Sequence, residues 1–336
     1  MMSTDAALPP GIHFYDLHPA AADFRSEILT GLARSPRQLS PKFFYDQRGS
    51  QLFDAITDLP EYYPTRAELS ILKRHGETIA DFLGRDCLLL ELGSGSSRKI
   101  RVLLDALRPA AYMPMDISRE HLLDSAQALV ADYPELEVHA ACVDYATDLE
   151  LPYCPGHLPR AAFFPGSSIG NFEPAQAREL LQRVAGYLGE GGRLLIGVDL
   201  KKDAGVLHAA YNDEQQVTAA FNLNLLQRIN RELDADFDLQ AFAHEAFYNA
   251  DEGRVEMHLV SRSDQTVTVA GHRFDFAAGE SIHTESSYKY DIDEFLALAG
   301  QAGFVSEQVW TDDQQWFSVH CLRCACTGRA TAGSAG

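Results

Sequence analysis

The chain has 336 residues, of which 46% are apolar and 23% charged, a balance that excludes a disordered, collagen-like or coiled-coil protein. At about 100–200 residues per domain, two domains or one large α/β domain with an insert are expected. Lysine and arginine total 28 against 48 aspartates and glutamates, a net charge of −20, and with no basic run to offset it neither nucleic acid nor an anionic membrane is an expected partner.

Residues 1–12 are expected to be loose, and Met1–Phe24 has no cationic start leading into an apolar run, so no secretory signal is expected. No stretch approaches the ~20 apolar residues of a membrane span. From Cys87 the chain alternates strand and helix patterns. Cys87–Leu92 is a short apolar strand ending in a glycine-rich turn, and Ser97–Leu107 repeats apolar residues at helical spacing. Ala111–Met115 is a second strand ending at Asp116, followed by a helix with Ser118 at its N-cap. Val138–Val143 and Arg160–Pro165 are further strands. Glu173–Leu188 is a helix closed by Gly189, Gly191 and Gly192, and Arg193–Leu200 is a fifth strand. This order predicts a parallel sheet with helices on both faces.

Beyond Leu200 the pattern changes. His208–Glu232 is expected as one long helix, and Ala241–Asn249, Arg254–Ser261 and Gln265–Val269 as antiparallel strands. A helix over Ile292–Ala299 and strands around Val305–Trp310 and Phe317–Leu322 return the chain to the first sheet. The intervening α+β insert is expected to form a lobe over the strand ends. The last ten residues are small and polar and are expected to be disordered. Six cysteines in a chain this long do not make a disulfide framework, so a reducing cytoplasm is the expectation. Cys321, Cys324 and Cys326 form a cluster with no fourth ligand beside it, and it is assigned to the end of a buried strand rather than to a metal.

The chemistry concentrates at the strand ends. Glu91-Leu92-Gly93-Ser94-Gly95-Ser96-Ser97 joins a strand to a helix, and its glycines allow a tight turn and close backbone approach to a ligand. Asp116, 23 residues after Gly93, stands where a ribose-binding carboxylate belongs. Asp144, followed by Tyr145, is placed to meet an adenine amino group and ring. NAD and S-adenosylmethionine both need the ribose acid. The third acid, with Glu91 opening the turn, favours the cationic methyl donor, and a nicotinamide cofactor is the competitor. Pro165–Phe172 ends the fourth strand and is expected to face the donor. Asn171 in this loop either holds an amine or carboxylate or caps the helix that follows.

A longer motif narrows the choice. The run Pro41-Lys42-Phe43-Phe44-Tyr45-Asp46-Gln47-Arg48-Gly49-Ser50-Gln51-Leu52-Phe53-Asp54 continues through Leu59-Pro60-Glu61-Tyr62-Tyr63-Pro64-Thr65-Arg66-Ala67-Glu68. With Glu91–Ser96, Gly166–Asn171 and Thr284-Glu285-Ser286-Ser287, it closely resembles the histidine-specific Nα-methyltransferases of ergothioneine biosynthesis over roughly residues 25–322.

The resemblance implies a class I methyltransferase with a Rossmann-like sheet over residues 67–201 and 289–326. It implies an α+β substrate lobe over 13–66 and 202–288. The implied reaction is three successive methylations of free L-histidine by S-adenosylmethionine, giving hercynine. Gly93, Lys99, Asp116, Asp144 and Tyr145 would bind the donor. Tyr62, Asn171 and Tyr211 would bind the amine and carboxylate of the amino acid, with Tyr62 and Asn171 orienting the amine for catalysis. Glu285 and Ser287 would bind the imidazole, and Tyr45 and Phe53 would line the pocket. Without the motif, Glu285 would be taken for an exposed strand residue, His283 for a surface residue, and Tyr62 and Tyr211 for packing aromatics. A monomer is expected. The alternatives are methylation of another free amino acid such as tryptophan, an NAD-dependent oxidoreductase, and a silent donor-binding module.

Overall fold

The computed structural model of the chain describes residues 8–17, 21–95, 97–147 and 150–325. Cys326 and the C-terminal tail lie outside the described residues, as do residues 1–7 of the expected loose N-terminus. The first half of the chain runs β1 (Ile12–Asp16), α1 (Ala21–Ala33), β2 (Arg37–Gln38), α2 (Gln47–Thr57), α3 (Tyr63–Leu83), β3 (Leu88–Leu92), α4 (Arg98–Leu107), β4 (Ala111–Asp116), α5 (Arg119–Asp132) and β5 (Glu137–Cys142). It continues through β6 (Arg160–Phe164), α6 (Pro174–Leu188), β7 (Arg193–Asp199), α7 (Ala204–Tyr211), α8 (Val217–Leu233), β8 (Phe242–Asn249) and β9 (Arg254–Ser261). The chain closes with β10 (Gln265–Val269), β11 (His272–Phe276), β12 (Ser281–Tyr288), α9 (Ile292–Gln301), β13 (Phe304–Thr311) and β14 (Phe317–Cys324).

The central sheet has the order β1-β5-β4-β3-β6-β7-β14-β13. β3, Leu-Leu-Leu-Glu-Leu, is buried along its whole length, as a strand covered by helices on both faces must be. Its neighbours β4 and β6 are both parallel to it. The chain first winds outward through β4 and β5, then crosses back to β6 and β7. That reversal puts the topological switch point between β3 and β6, and in an open α/β sheet the ligand crevice lies outside the strand ends there. α3 and α4 cover one face, and α6 and α9 pack on the other.

The second sheet, β2-β12-β9-β8, carries a bulge in β12 between His283 and Glu285. α8 and the aromatic residues of the N-terminal segment close its core, with Phe44, Phe221, Leu225, Phe242 and Ile282 fully buried or nearly so.

Four sequence expectations change. Residues 13–16, expected in the substrate lobe, lie in β1, which pairs in parallel with β5 at the edge of the central sheet. The expected long helix is two helices. Asp213 accepts hydrogen bonds from the amides of Val217 and Thr218 (both 2.8 Å), and Gln216 adopts φ +58°. These donors open α8 and so end the first helix at Tyr211. Two strands, β11 and β12, follow the three expected, reached through a tight turn at Ala270 and Gly271 with φ of +48° and +82°. Ser118 occupies an N-cap position, but its hydroxyl makes no hydrogen bond; the Asp116 carboxylate instead accepts from the Ser118 amide (2.9 Å).

Candidate active site

The turn after β3 and the loop after β6 meet at the switch point. Gly93 has φ +72°, and a Cβ there would come 3.4 Å from the Tyr145 hydroxyl. Any side chain at Gly93 would therefore be both strained and crowded. Asp116 receives the Gly95 amide at 3.1 Å, so the ribose-type carboxylate also staples the glycine turn. Asp144 accepts from Lys42 (3.2 Å) and from the Ala146 amide (3.0 Å). Lys99 is paired with the fully buried Glu68 at 2.7 Å. Glu68 also accepts from the Gly166 amide (3.0 Å), so this pair ties α4 to the loop after β6. Glu91 does not face the crevice: it is buried, hydrogen bonded by the Tyr112 hydroxyl, and pushed up to about 8 by desolvation. Its weight as an acid of the donor site is withdrawn.

Two connected cavities open from this point. The larger, about 810 Å³, is lined by Lys42, Asp144, Tyr145, Asn171 and Phe172, among others. Tyr45, Ser168, Asn171 and Glu285 line it and also a second, smaller cavity of about 50 Å³. All seven residues expected to bind the amino acid line the smaller one: Tyr45, Phe53, Tyr62, Asn171, Tyr211, Glu285 and Ser287. Of the donor group, Asp144 and Tyr145 line the larger cavity; Gly93, Lys99 and Asp116 sit behind it at the turn.

The larger cavity suits the donor on its own evidence. Asp144 and Tyr145 line it, and the glycine turn packs against the Tyr145 ring, with Asp116 bound to the Gly95 amide and a buried Ser94 hydroxyl left without a partner. That is a polar cradle matched to an adenosine and its ribose hydroxyls.

The smaller cavity is assembled from distant segments. Phe53, on α2, meets Tyr45 and Tyr62 edge-on, and Phe221 of α8 completes the aromatic wall. Burial pushes the Tyr45 and Tyr62 hydroxyls well above their ordinary value, so both are neutral phenols. Asn171 ends a short 3₁₀ turn and does not cap α6. Glu173 does so, in a reciprocal pair with Gln176. This frees Asn171 to face both cavities.

Glu285 follows the bulge of β12 and is buried. Desolvation raises its carboxyl to about 7, against the opposing pull of Lys289. Below Ser287 and Tyr211 lies a buried charge cluster that sequence reasoning missed. Asp199, at the end of β7, accepts from Lys289 (2.8 Å), Lys202 (2.6 Å) and the Tyr63 hydroxyl (2.8 Å). Lys289 was within sight, two residues beyond Ser287. Asp199, however, shows its role only as the strand end that Lys289 reaches.

His283 is half-buried rather than a surface residue, stacked on His258 beside Glu256. A second group, His13, Glu137 and His139, is stacked in the same way. There the Nε2 atoms of His13 and His139 stand 3.6 and 3.0 Å from Glu137 Oε1.

A family model described as histidine-specific methyltransferase, SAM-dependent, matches residues 24–324. The histidine N-alpha-methyltransferase of Mycolicibacterium smegmatis is 45% identical over 300 residues, covering 87% of this chain and 92% of that protein. The protein of the same name from Mycobacterium tuberculosis is 43% identical over 301 residues, covering 88% and 93%. Ergothioneine biosynthesis protein 1 of Neurospora crassa is 31% identical over 307 residues, which span 85% of this chain and 33% of that longer protein.

Proposed function

Because the chain belongs to the histidine-specific, S-adenosylmethionine-dependent methyltransferases, we propose that it transfers three methyl groups to the α-amine of free L-histidine, releasing hercynine for ergothioneine biosynthesis. The observation that carries this is the small cavity lined by Glu285, Ser287, Tyr211, Tyr62 and Asn171, which shares Tyr45, Ser168, Asn171 and Glu285 with the larger one.

The donor, when bound, supplies a methyl group already activated on a sulfonium, so the protein's task is placement. Gly93 and Gly95 bring the backbone close, Asp116 takes the ribose, and Asp144 with Tyr145 takes the adenine. Lys99 positions the turn through Glu68. At the other end Glu285 accepts an imidazole N–H, a charge-assisted bond that an alkyl side chain cannot make. Ser287 meets the ring beside it, and Tyr45 and Phe53 pack against it. Asn171 donates to the carboxylate, and Tyr211, whose hydroxyl proton goes to Ser287, borders the amino acid.

Asn171 and Tyr62 would orient the amine, turning its lone pair towards the donor, as an in-line transfer requires. Tyr62 takes part as a neutral phenol, because its burial opposes the phenolate. The amine proton is therefore lost to water at the open cleft and not to Tyr62. The aromatic faces of Tyr62 and Phe53 accommodate the cation that grows with each transfer.

This reading divides the chain into a donor-binding part, residues 67–201 and 289–326, and a substrate-binding part built from the remainder of 13–66 with 202–288, and both cavities are lined by residues of the two parts. β1 goes with the former. A cytoplasmic site of action is part of this reading; no described helix is long and apolar enough to cross a membrane. The test is incubation with S-adenosylmethionine and each of the twenty amino acids, read by mass. Histidine alone should gain 14, 28 and 42 Da; methylation of tryptophan in its place would replace the substrate, and no product at all would overturn the reading.

A further inference from the structure

Lys289 is placed to do more than fill the core. Its side chain is 1% exposed, and its partner Asp199 is 2% exposed. An ammonium has three protons and no lone pair. Each proton of Lys289 has an acceptor: Asp199 at 2.8 Å, the Ser287 hydroxyl at 2.8 Å and the Tyr211 hydroxyl at 3.1 Å. The two hydroxyls are themselves 2.8 Å apart. The phenol is the better donor and the aliphatic hydroxyl the better acceptor, so Tyr211 gives its proton to Ser287. Ser287 then accepts from both Lys289 and Tyr211, which uses its lone pairs. What it has left is one proton, directed away from both donors, into the cavity it lines.

We propose that Lys289, anchored on Asp199, is a positioning residue that fixes Ser287 as a hydrogen-bond donor into the acceptor cavity and thereby selects a ring carrying both an N–H and a lone-pair nitrogen. The inference rests on the reading that Glu285 and Ser287 meet the ring. Glu285 supplies the acceptor and Ser287 the donor, a complementary pair that a neutral imidazole satisfies at once. A ring with an N–H but no second nitrogen leaves the Ser287 proton buried without a partner, and such a mismatch is what a polar site rejects most strongly. Without the ammonium, Ser287 is free to turn and offer a lone pair, and the selection lapses.

The test compares histidine with β-(pyrrol-3-yl)alanine, which keeps the N–H and loses the second nitrogen. Wild type should favour histidine by on the order of 100-fold in kcat/KM. Lys289→Met should lower histidine kcat/KM at least tenfold, mainly through KM, and shrink that preference to about tenfold or less. Its affinity for S-adenosylhomocysteine, by calorimetry, should stay within twofold. In a Ser287→Ala background the same change should cost less than threefold, because its effect passes through Ser287.

Additive losses in the double variant, an undiminished preference in Lys289→Met, or equal loss of S-adenosylhomocysteine binding would overturn the inference. Should Lys289→Met fail to fold, Lys289→Gln keeps two N–H donors without the charge and should give an intermediate preference; an unchanged preference there also overturns it. Equal use of the two amino acids by wild type would overturn it with no variant needed. If wild type methylates neither, the proposed function fails. The inference is then judged by calorimetric binding of the two amino acids, where equal affinities sink it.

Discussion

The two ends of the active site are built on different principles. The donor end is local: its acids close successive parallel strands, and its glycines sit in one turn, so a stretch from Gly93 to Tyr145 carries the whole set. The acceptor end is assembled from four separate places: the 3₁₀ turn and α2 near Tyr45 and Phe53, the loop at Asn171, the end of α7 at Tyr211, and β12. The donor-side charges are also already paired within the protein, Asp144 with Lys42 and Lys99 with Glu68. Glu285, by contrast, stays in a dry aromatic enclosure with its carboxyl raised to about 7. An end whose charges are already paired suits a ligand shared by many enzymes; a buried and polarised end discriminates.

The sharpest way to break this contrast is to strike one end and measure both. Glu285→Ala should lower histidine kcat/KM by about 100- to 1,000-fold while donor affinity stays within twofold by calorimetry. An equal loss at both ends would mean the two are not independent. Asn171→Ala lies at the junction and should cost about 100-fold in kcat with a smaller change in KM, since it misplaces the amine and leaves the ring held. A pure KM effect in steady-state assays would move it out of the orienting role.

Asp116→Ala should weaken donor binding about tenfold and leave histidine KM little changed. An unaltered donor Kd would remove the ribose assignment.

The smallest effect is on stability. The carboxyl of Glu285 titrates at about 7 in the fold against an ordinary 4.5, so the unfolded chain loses this proton first. Its contribution is therefore fully present below pH about 4.5 and is lost as pH rises through about 7. Glu285→Gln carries no such penalty. Its apo form should melt about 2–4 °C above wild type at pH 8 and within a degree of it at pH 5. A scan showing the same difference at both pH values would mean the buried charge is not the cause.

The described elements show where sequence sufficed. β3 to β7 follow from apolar runs bounded by glycine and aspartate, because a buried parallel strand has no other composition open to it. β1 escaped notice because an edge strand is half exposed: Ile12–Asp16 mixes His, Tyr and Asp, and only pairing with β5 makes it a strand. The break after Tyr211 was hidden because Asp213 caps through space and the apolar spacing runs on across it.

What the sequence determined by itself was the parallel sheet, the donor turn with its strand-end acids, and, through one long motif, the residues of the acceptor pocket. These are legible because local periodicity and chain-adjacent chemistry are written in order along the chain. Tertiary structure alone decided that Glu91 turns away from the crevice, that Glu68 takes the Lys99 charge, that Asn171 is released from capping, and that Asp199 and Lys289 stand beneath Ser287. Each of these depends on which of several possible partners a polar group meets once water is excluded, and burial brings together groups that the chain holds tens of residues apart.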